Sequence, residues 1–288
     1  MSSPGNEQGP WGRRDGTETP RVPPIGEPYN APDVPEIVVP PRSPAKERLW
    51  LVISSLLMIG ILWLFTGSWE IALGLMFGLL VHEYGHVLAM NRLGMGPAKI
   101  YVIPFLGGLA KGAHAPRTEW VGVLVSLAGP AFGLLAMLPL LAIGLATGAS
   151  QWMAAAFFVA MLNLINLVPA PPLDGSKALG PVLARVHPML EKLVLLAIGV
   201  AVVAWGIWTG RYILAVFLGL AVLGHLTKGG LRSYAGPLSW KEAGQSLCLF
   251  LLTALMCGGA AAGSLLLMSE GGGSEVLTMI LRYLGFSL

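Results

Sequence analysis

Charge is what this chain has least of: Asp, Glu, Lys and Arg make up 11% of its 288 residues. A soluble globular domain carries about 25%, so a water-facing surface of ordinary composition is excluded. Cysteine is almost absent. Cys248 and Cys257 fall in one apolar run, which excludes a disulfide framework or a cysteine-built metal site and leaves them as small apolar helix residues. The net charge of +3 is spread over connecting segments. With no basic stripe, nucleic acid is not an expected partner. No short apolar core follows the basic residues near Met1, so a cleavable signal peptide is not expected either.

What is present is apolar sequence, 55% of the chain, with a mean hydropathy of +0.70. It comes in runs of about 20 residues, the length that crosses a hydrocarbon core. Candidate spans lie at roughly 48–67, 70–93, 119–148, 150–169, 189–209, 211–227 and 243–268. The third is long enough to be tilted or kinked, and Gly129-Pro130 sits inside it. The fold class read from this pattern is an all-α polytopic membrane protein with about six to seven transmembrane helices in a lipid bilayer. Residues 97–112 interrupt it. Ile100, Tyr101, Val102 and Ile103 favour a strand and Gly107-Gly108 a turn or close backbone approach, so a small membrane-associated β-hairpin is expected.

Half of the 22 prolines precede Lys46. Residues 1–45 therefore read as a disordered, proline-rich tail that cannot bury enough apolar surface to offset its ordering entropy. Residues 231–288 read as an extra transmembrane helix followed by a short interfacial segment near 274–287. Basic residues cluster before the first span (Arg42, Lys46, Arg48), between the second and third (Arg92, Lys99, Lys111, Arg117), after the fourth (Lys177, Arg185, Lys192) and after the sixth (Lys228, Arg232, Lys241). The intervening turns lack Lys and Arg, apart from Arg211. The positive-inside rule then puts the N-terminus and the tail in the cytoplasm. The ends of the second and fourth spans share that side.

The chemistry is concentrated in His82-Glu83-Tyr84-Gly85-His86. Histidines at i and i+4 project from one face of a helix, so both imidazoles can reach one metal ion. Glu83 lies one step round the helix, where its carboxylate can act as general base toward water at that metal. Glu83 is also the only acid between Glu70 and Glu119. Ionisable groups in a membrane are expensive, and a metal ion supplies the compensation. Catalytic zinc takes three protein ligands and keeps one position open. Asp174 is the candidate third ligand: it is the only acid between Glu119 and Glu191, and it lies at the cytoplasmic end of the fourth span. Its surroundings, NLVPAPPLDG over 166–175, break the helix with prolines, and non-helical backbone at membrane depth is tolerated where it lines a polar cavity. His114 and His187 read as solvated loop residues, and His225 as a packing or hydrogen-bonding residue.

HEYGH in one span and NLVPAPPLDG at the end of a later one resemble the site-2 protease family of intramembrane zinc metalloproteases, over roughly residues 48–230. The resemblance implies an intramembrane metalloprotease domain over 46–230 that binds one Zn2+ through His82, His86 and Asp174. Glu83 would be the catalytic base, and the substrate a transmembrane segment of another membrane protein. It further implies that Asn166 helps to hold unwound substrate, and that Pro104–Gly108, with Gly107 and Gly108, belong to a substrate-facing hairpin. Two departures stand out: Ser176 follows LDG where many members have a second glycine, and Gly133 stands where many have an asparagine after Ala-Gly-Pro. A bacterial cytoplasmic membrane fits the chain. The rival readings of the same residues are a zinc-binding membrane transporter and a non-catalytic scaffold that keeps the zinc site.

Overall fold

Long apolar runs leave the backbone no partner but itself, and helices satisfy that demand within one segment. The computed structural model describes residues 44–104, 107–210, 212–228, 237–270 and 278. The tail expected over 1–45 falls outside the described residues up to position 43, as does nearly all of the interfacial segment expected near 274–287. The helices are α1 (Pro44–Thr66), α2 (Trp69–Arg92), α3 (Glu119–Leu135), α4 (Met137–Thr147), α5 (Ser150–Asn166), α6 (Asp174–Val186), α7 (Pro188–Trp208), α8 (Tyr212–Lys228) and α9 (Trp240–Glu270). Between α2 and α3, strands β1 (Lys99–Ile103) and β2 (Gly107–Lys111) pair antiparallel, with Ile103 opposite Gly107 and Lys99 opposite Lys111. The expected hairpin is present.

Among the described residues, five helical segments are long and apolar enough to cross a membrane: Arg48–Thr66, Trp69–Arg92, Glu119–Thr147, Pro188–Trp208 and Trp240–Met268. α5 and α8, at 17 residues each, account for the other two expected spans; α8 has the expected length, and α5 ends three residues before the expected 169. α5 stops at Asn166 because Pro169, Pro171 and Pro172 follow. It is enclosed by protein: Ala154, Ala155, Ala156, Phe157, Val159 and Ala160 are all buried. α1 shows the opposite pattern, with Leu49, Val52, Ile53, Leu56, Leu57 and Leu64 exposed. Such a surface suits lipid and not water. Exposed Trp63 and Trp69 flank the α1–α2 turn, and exposed Trp208 and Tyr212 flank the α7–α8 turn, as interfacial aromatics do. The chain is a multi-pass membrane protein.

α2 is the central helix because it is narrow. A Cβ at Gly74 would collide with Ala155, and one at Gly78 with Val159, so two glycines four apart let α5 approach. On the other face a Cβ at Gly85 would stand 2.5 Å from the Ala128 carbonyl oxygen of α3. The long third span is broken, though not at Gly129-Pro130. α3 runs through Pro130 and ends at Leu135. Pro139 is the cause, because it has no N–H to donate to the Leu135 carbonyl and its ring crowds that carbonyl. α6 was not expected from the proline-rich sequence, yet a regular helix starts at Asp174 directly after it.

α9 opens with a capping box: Glu242 N donates to Ser239 Oγ at 3.2 Å, and Ser239 N donates to Glu242 Oε2 at 2.8 Å. Its inner face then supplies Ala261 and Met268 to the core around α5, and Ala243 and Cys257 to the core around Val123, Leu127 and Ala178. Ser246 Oγ donates to the Ala178 carbonyl of α6 at 2.9 Å. The C-terminal helix thus braces the helix that carries Asp174. Cys248 and Cys257 are both free thiols, the first exposed and the second buried.

Candidate metal centre

His82 and His86 stand on adjacent turns of α2, and their Nε2 atoms lie 3.2 Å apart. Asp174 arrives as the first residue of α6. Its Oδ2 lies 3.2 Å from His82 Nε2 and 3.1 Å from His86 Nε2. All three residues are buried. The Leu-Asp-Gly turn is held by packing, since a Cβ on Gly175 would run into the Leu167 carbonyl at the end of α5. α3 makes room from the far side: a Cβ on Gly129 would stand 2.9 Å from His82 Nε2 and would collide with the His86 ring.

The outer partners of the two rings fix which nitrogens face inward. His86 Nδ1 lies 2.8 Å from the Val125 backbone carbonyl, which can only accept, so Nδ1 carries the proton. His82 Nδ1 lies 2.8 Å from Asn163 Oδ1. The amide of Asn163 is oriented by its other bond, in which Nδ2 donates to the Val159 carbonyl at 2.8 Å. Its oxygen therefore faces His82, and His82 Nδ1 also carries the proton. Both Nε2 lone pairs then point at Asp174 Oδ2.

Three electron-pair donors aimed at one point repel one another unless a cation sits among them. Ligands about 2.0–2.1 Å from a tetrahedral zinc ion are about 3.3 Å apart, close to the 3.1–3.2 Å seen here. Among the described residues these three form the one His, Cys, Asp or Glu group able to hold a metal ion. The residues fit one zinc ion, with two imidazoles and one carboxylate as its protein ligands.

Glu83 is buried beside this group, near enough to interact electrostatically with His82, His86 and Asp174. Its carboxylate rests against β2. A Cβ on Gly108 would lie 2.5 Å from Glu83 Oε1, while Gly107 takes φ +108 at the turn. Lys177 Nζ stands 3.5 Å from Asp174 Oδ1, with its side chain 60% exposed, so the rim of the site is polar and accessible. Asn166 is not brought to the histidines. Its Nδ2 donates to the Leu162 carbonyl within α5, at 3.1 Å. The asparagine at the site is Asn163, which the sequence reading missed. The available signal was an amide side chain in an apolar helix, one that Asn166 gives equally. His187 is exposed and caps α7 through Nδ1, which accepts from Met189 N at 3.1 Å; the side chain of His225 lies outside the described residues.

No protein-family model matches the chain. Curated relatives do match it. "Putative zinc metalloprotease sll0528" of Synechocystis sp. is 31% identical over 131 residues, covering 44% of this chain and 34% of that protein. "Putative zinc metalloprotease Rip3" of Mycobacterium tuberculosis is 30% identical over 158 residues, covering 44% of this chain and 39% of that protein. The matched region thus spans well under half of either relative. These relatives bear out the resemblance to the site-2 protease family carried by HEYGH and NLVPAPPLDG, and with it zinc as the metal.

Proposed function

We propose that the chain is an intramembrane zinc metalloendopeptidase that hydrolyses peptide bonds in or near the transmembrane segments of other membrane proteins. The observation that carries this reading is the buried convergence of His82 Nε2, His86 Nε2 and Asp174 Oδ2 with Glu83 beside them. Bound there, zinc would supply Lewis acidity, lowering the pKa of water toward about 7 and drawing charge off a carbonyl oxygen.

The chain's own residues do the rest. His82, His86 and Asp174 hold the ion, and the protons on both Nδ1 atoms keep the Nε2 lone pairs free for it. Glu83 takes a proton from water as its oxygen adds to the scissile carbonyl carbon. When the C–N bond breaks, Glu83 returns that proton to the leaving nitrogen. A helical substrate hides its carbonyls in hydrogen bonds, so it must be extended at the site. The β1–β2 hairpin offers a strand edge for this, and β2 runs directly past Glu83. The distribution of basic residues supports an N-terminus in the cytoplasm, with the site entered from that side; the membrane we propose is a bacterial cytoplasmic one.

The test is metal removal and return. Membranes containing the full chain are incubated with a zinc chelator, and endogenous membrane proteins are followed by terminus-resolved proteomics. Fragments cut within or beside transmembrane segments are expected in untreated membranes, to cease on chelation and to resume on adding zinc. A chain that holds one zinc and yields no such fragments would count against the proposal.

Gly108→Ala probes the contact between β2 and the base. The added methyl displaces the Glu83 carboxylate, and misplacement of about 1 Å can cost about 10²-fold in rate. Cleavage is expected to fall on that order with zinc content unchanged. Wild-type cleavage rates in the variant would show that Glu83 has freedom the packing does not suggest.

A further inference from the structure

We propose that Asn163 is a positioning residue of this metal centre: it holds His82 in the tautomer and ring orientation of a zinc ligand, from a seat that Gly133 opens. This rests on the zinc reading above and goes beyond it, since Asn163 is neither a ligand nor part of either sequence motif.

The side chain of Asn163 spends both ends of its amide. Nδ2 donates to the Val159 carbonyl and Oδ1 accepts from His82 Nδ1, each at 2.8 Å. Asn163 is fully buried, so water cannot replace either partner. Reversing the amide would set Oδ1 against the Val159 carbonyl, two acceptors facing each other, and aim Nδ2–H at His82, forcing the His82 proton onto Nε2. That proton would point at Asp174 and His86, where the ion belongs. The histidines differ here. His86 takes its acceptor from the Val125 backbone, which no substitution removes, while His82 depends on a side chain.

Gly133 makes the arrangement possible. A Cβ there would stand 2.5 Å from Asn163 Nδ2 and nearer still to Oδ1. The position that departs from the family pattern, a glycine after Ala-Gly-Pro, is thus the one whose side chain would occupy the space Asn163 fills. Partners of this kind fix metal ligands generally, and their loss typically costs about 10–100-fold in metal affinity.

The experiment is zinc affinity by competition with a chromophoric chelator, on the purified full chain in detergent, with thermal unfolding of the zinc-free protein as a check on folding. Asn163→Ala and Asn163→Leu are expected to weaken zinc binding about 10–100-fold. Asn163→Asp keeps an acceptor facing Nδ1, and it should bind within about threefold of wild type or more tightly. Gly133→Ala leaves Asn163 and every ligand in the sequence and should still weaken zinc by crowding the amide. The proposal is overturned if Asn163→Ala and Asn163→Leu bind like wild type. It is equally overturned if Gly133→Ala does, or if a folded Asn163→Asp binds as poorly as Asn163→Leu. A wild-type chain that binds no zinc would instead remove the metal-centre reading itself.

Discussion

Glu83→Gln is expected to leave one zinc bound and to lower cleavage by about 10²–10⁴-fold, the usual contribution of a positioned general base. Glutamine has the shape of glutamate, so it fits the space between α2 and Gly108 that the carboxylate occupies. It cannot take up a proton. Because the metal-binding group is His82, His86 and Asp174, the ion should not sense the change beyond a small electrostatic effect. Two measurements check this together: zinc per chain in purified protein, and full-length membrane proteins that accumulate in cells carrying the variant. Zinc loss would mean that Glu83 is itself a ligand. Retained cleavage would mean that another group moves the proton. A zinc-replete variant in which no membrane protein changes in length would favour a scaffold.

How much of this was legible depended on how local each feature is. His82, Glu83 and His86 sit on two turns of one helix, so spacing alone places them, and the structure keeps them there. Asp174 lies 92 residues from His82. It could be singled out only because acids are so scarce in the chain. Asn163 and Asn166 are equally scarce and three apart, and nothing in their spacing says which one reaches His82. That is decided by where α2 and α5 cross, and Gly74, Gly78, Ala155 and Val159 set that crossing by close packing. The same limit explains the broken third span. Pro130 and Pro139 both lie within the one apolar run, and the break falls at Ala136, just ahead of the second. An apolar run likewise has no polar face to show which way it turns, so the packing of α9 against α5 and α6 was unreadable.

Asp174→Ala should remove most of the metal affinity, because a single change takes away one of three ligands and the only negative charge among them. Zinc sites with four protein ligands are worth about 10–16 kcal/mol, or about 2.5–4 kcal/mol per ligand. Losing one is therefore expected to weaken binding by about two to three orders of magnitude, at about 1.4 kcal/mol per factor of ten. Cleavage should disappear at ordinary zinc levels. The competing account is that Asp174 is an ion-pair anchor for Lys177, 3.5 Å from its Oδ1. That side chain is 60% exposed, and exposed pairs contribute only about 0–1 kcal/mol. Lys177→Ala is therefore expected to change zinc affinity by no more than a few-fold. Thermal unfolding separates the two accounts. Added zinc should raise the midpoint of wild type and of Lys177→Ala, since a ligand that binds only the folded state stabilises it. It should leave that of Asp174→Ala where it was. A midpoint that rises with zinc in Asp174→Ala as it does in wild type would show that the histidines hold the ion without the carboxylate. Asp174 would then owe its burial between them to packing at the start of α6.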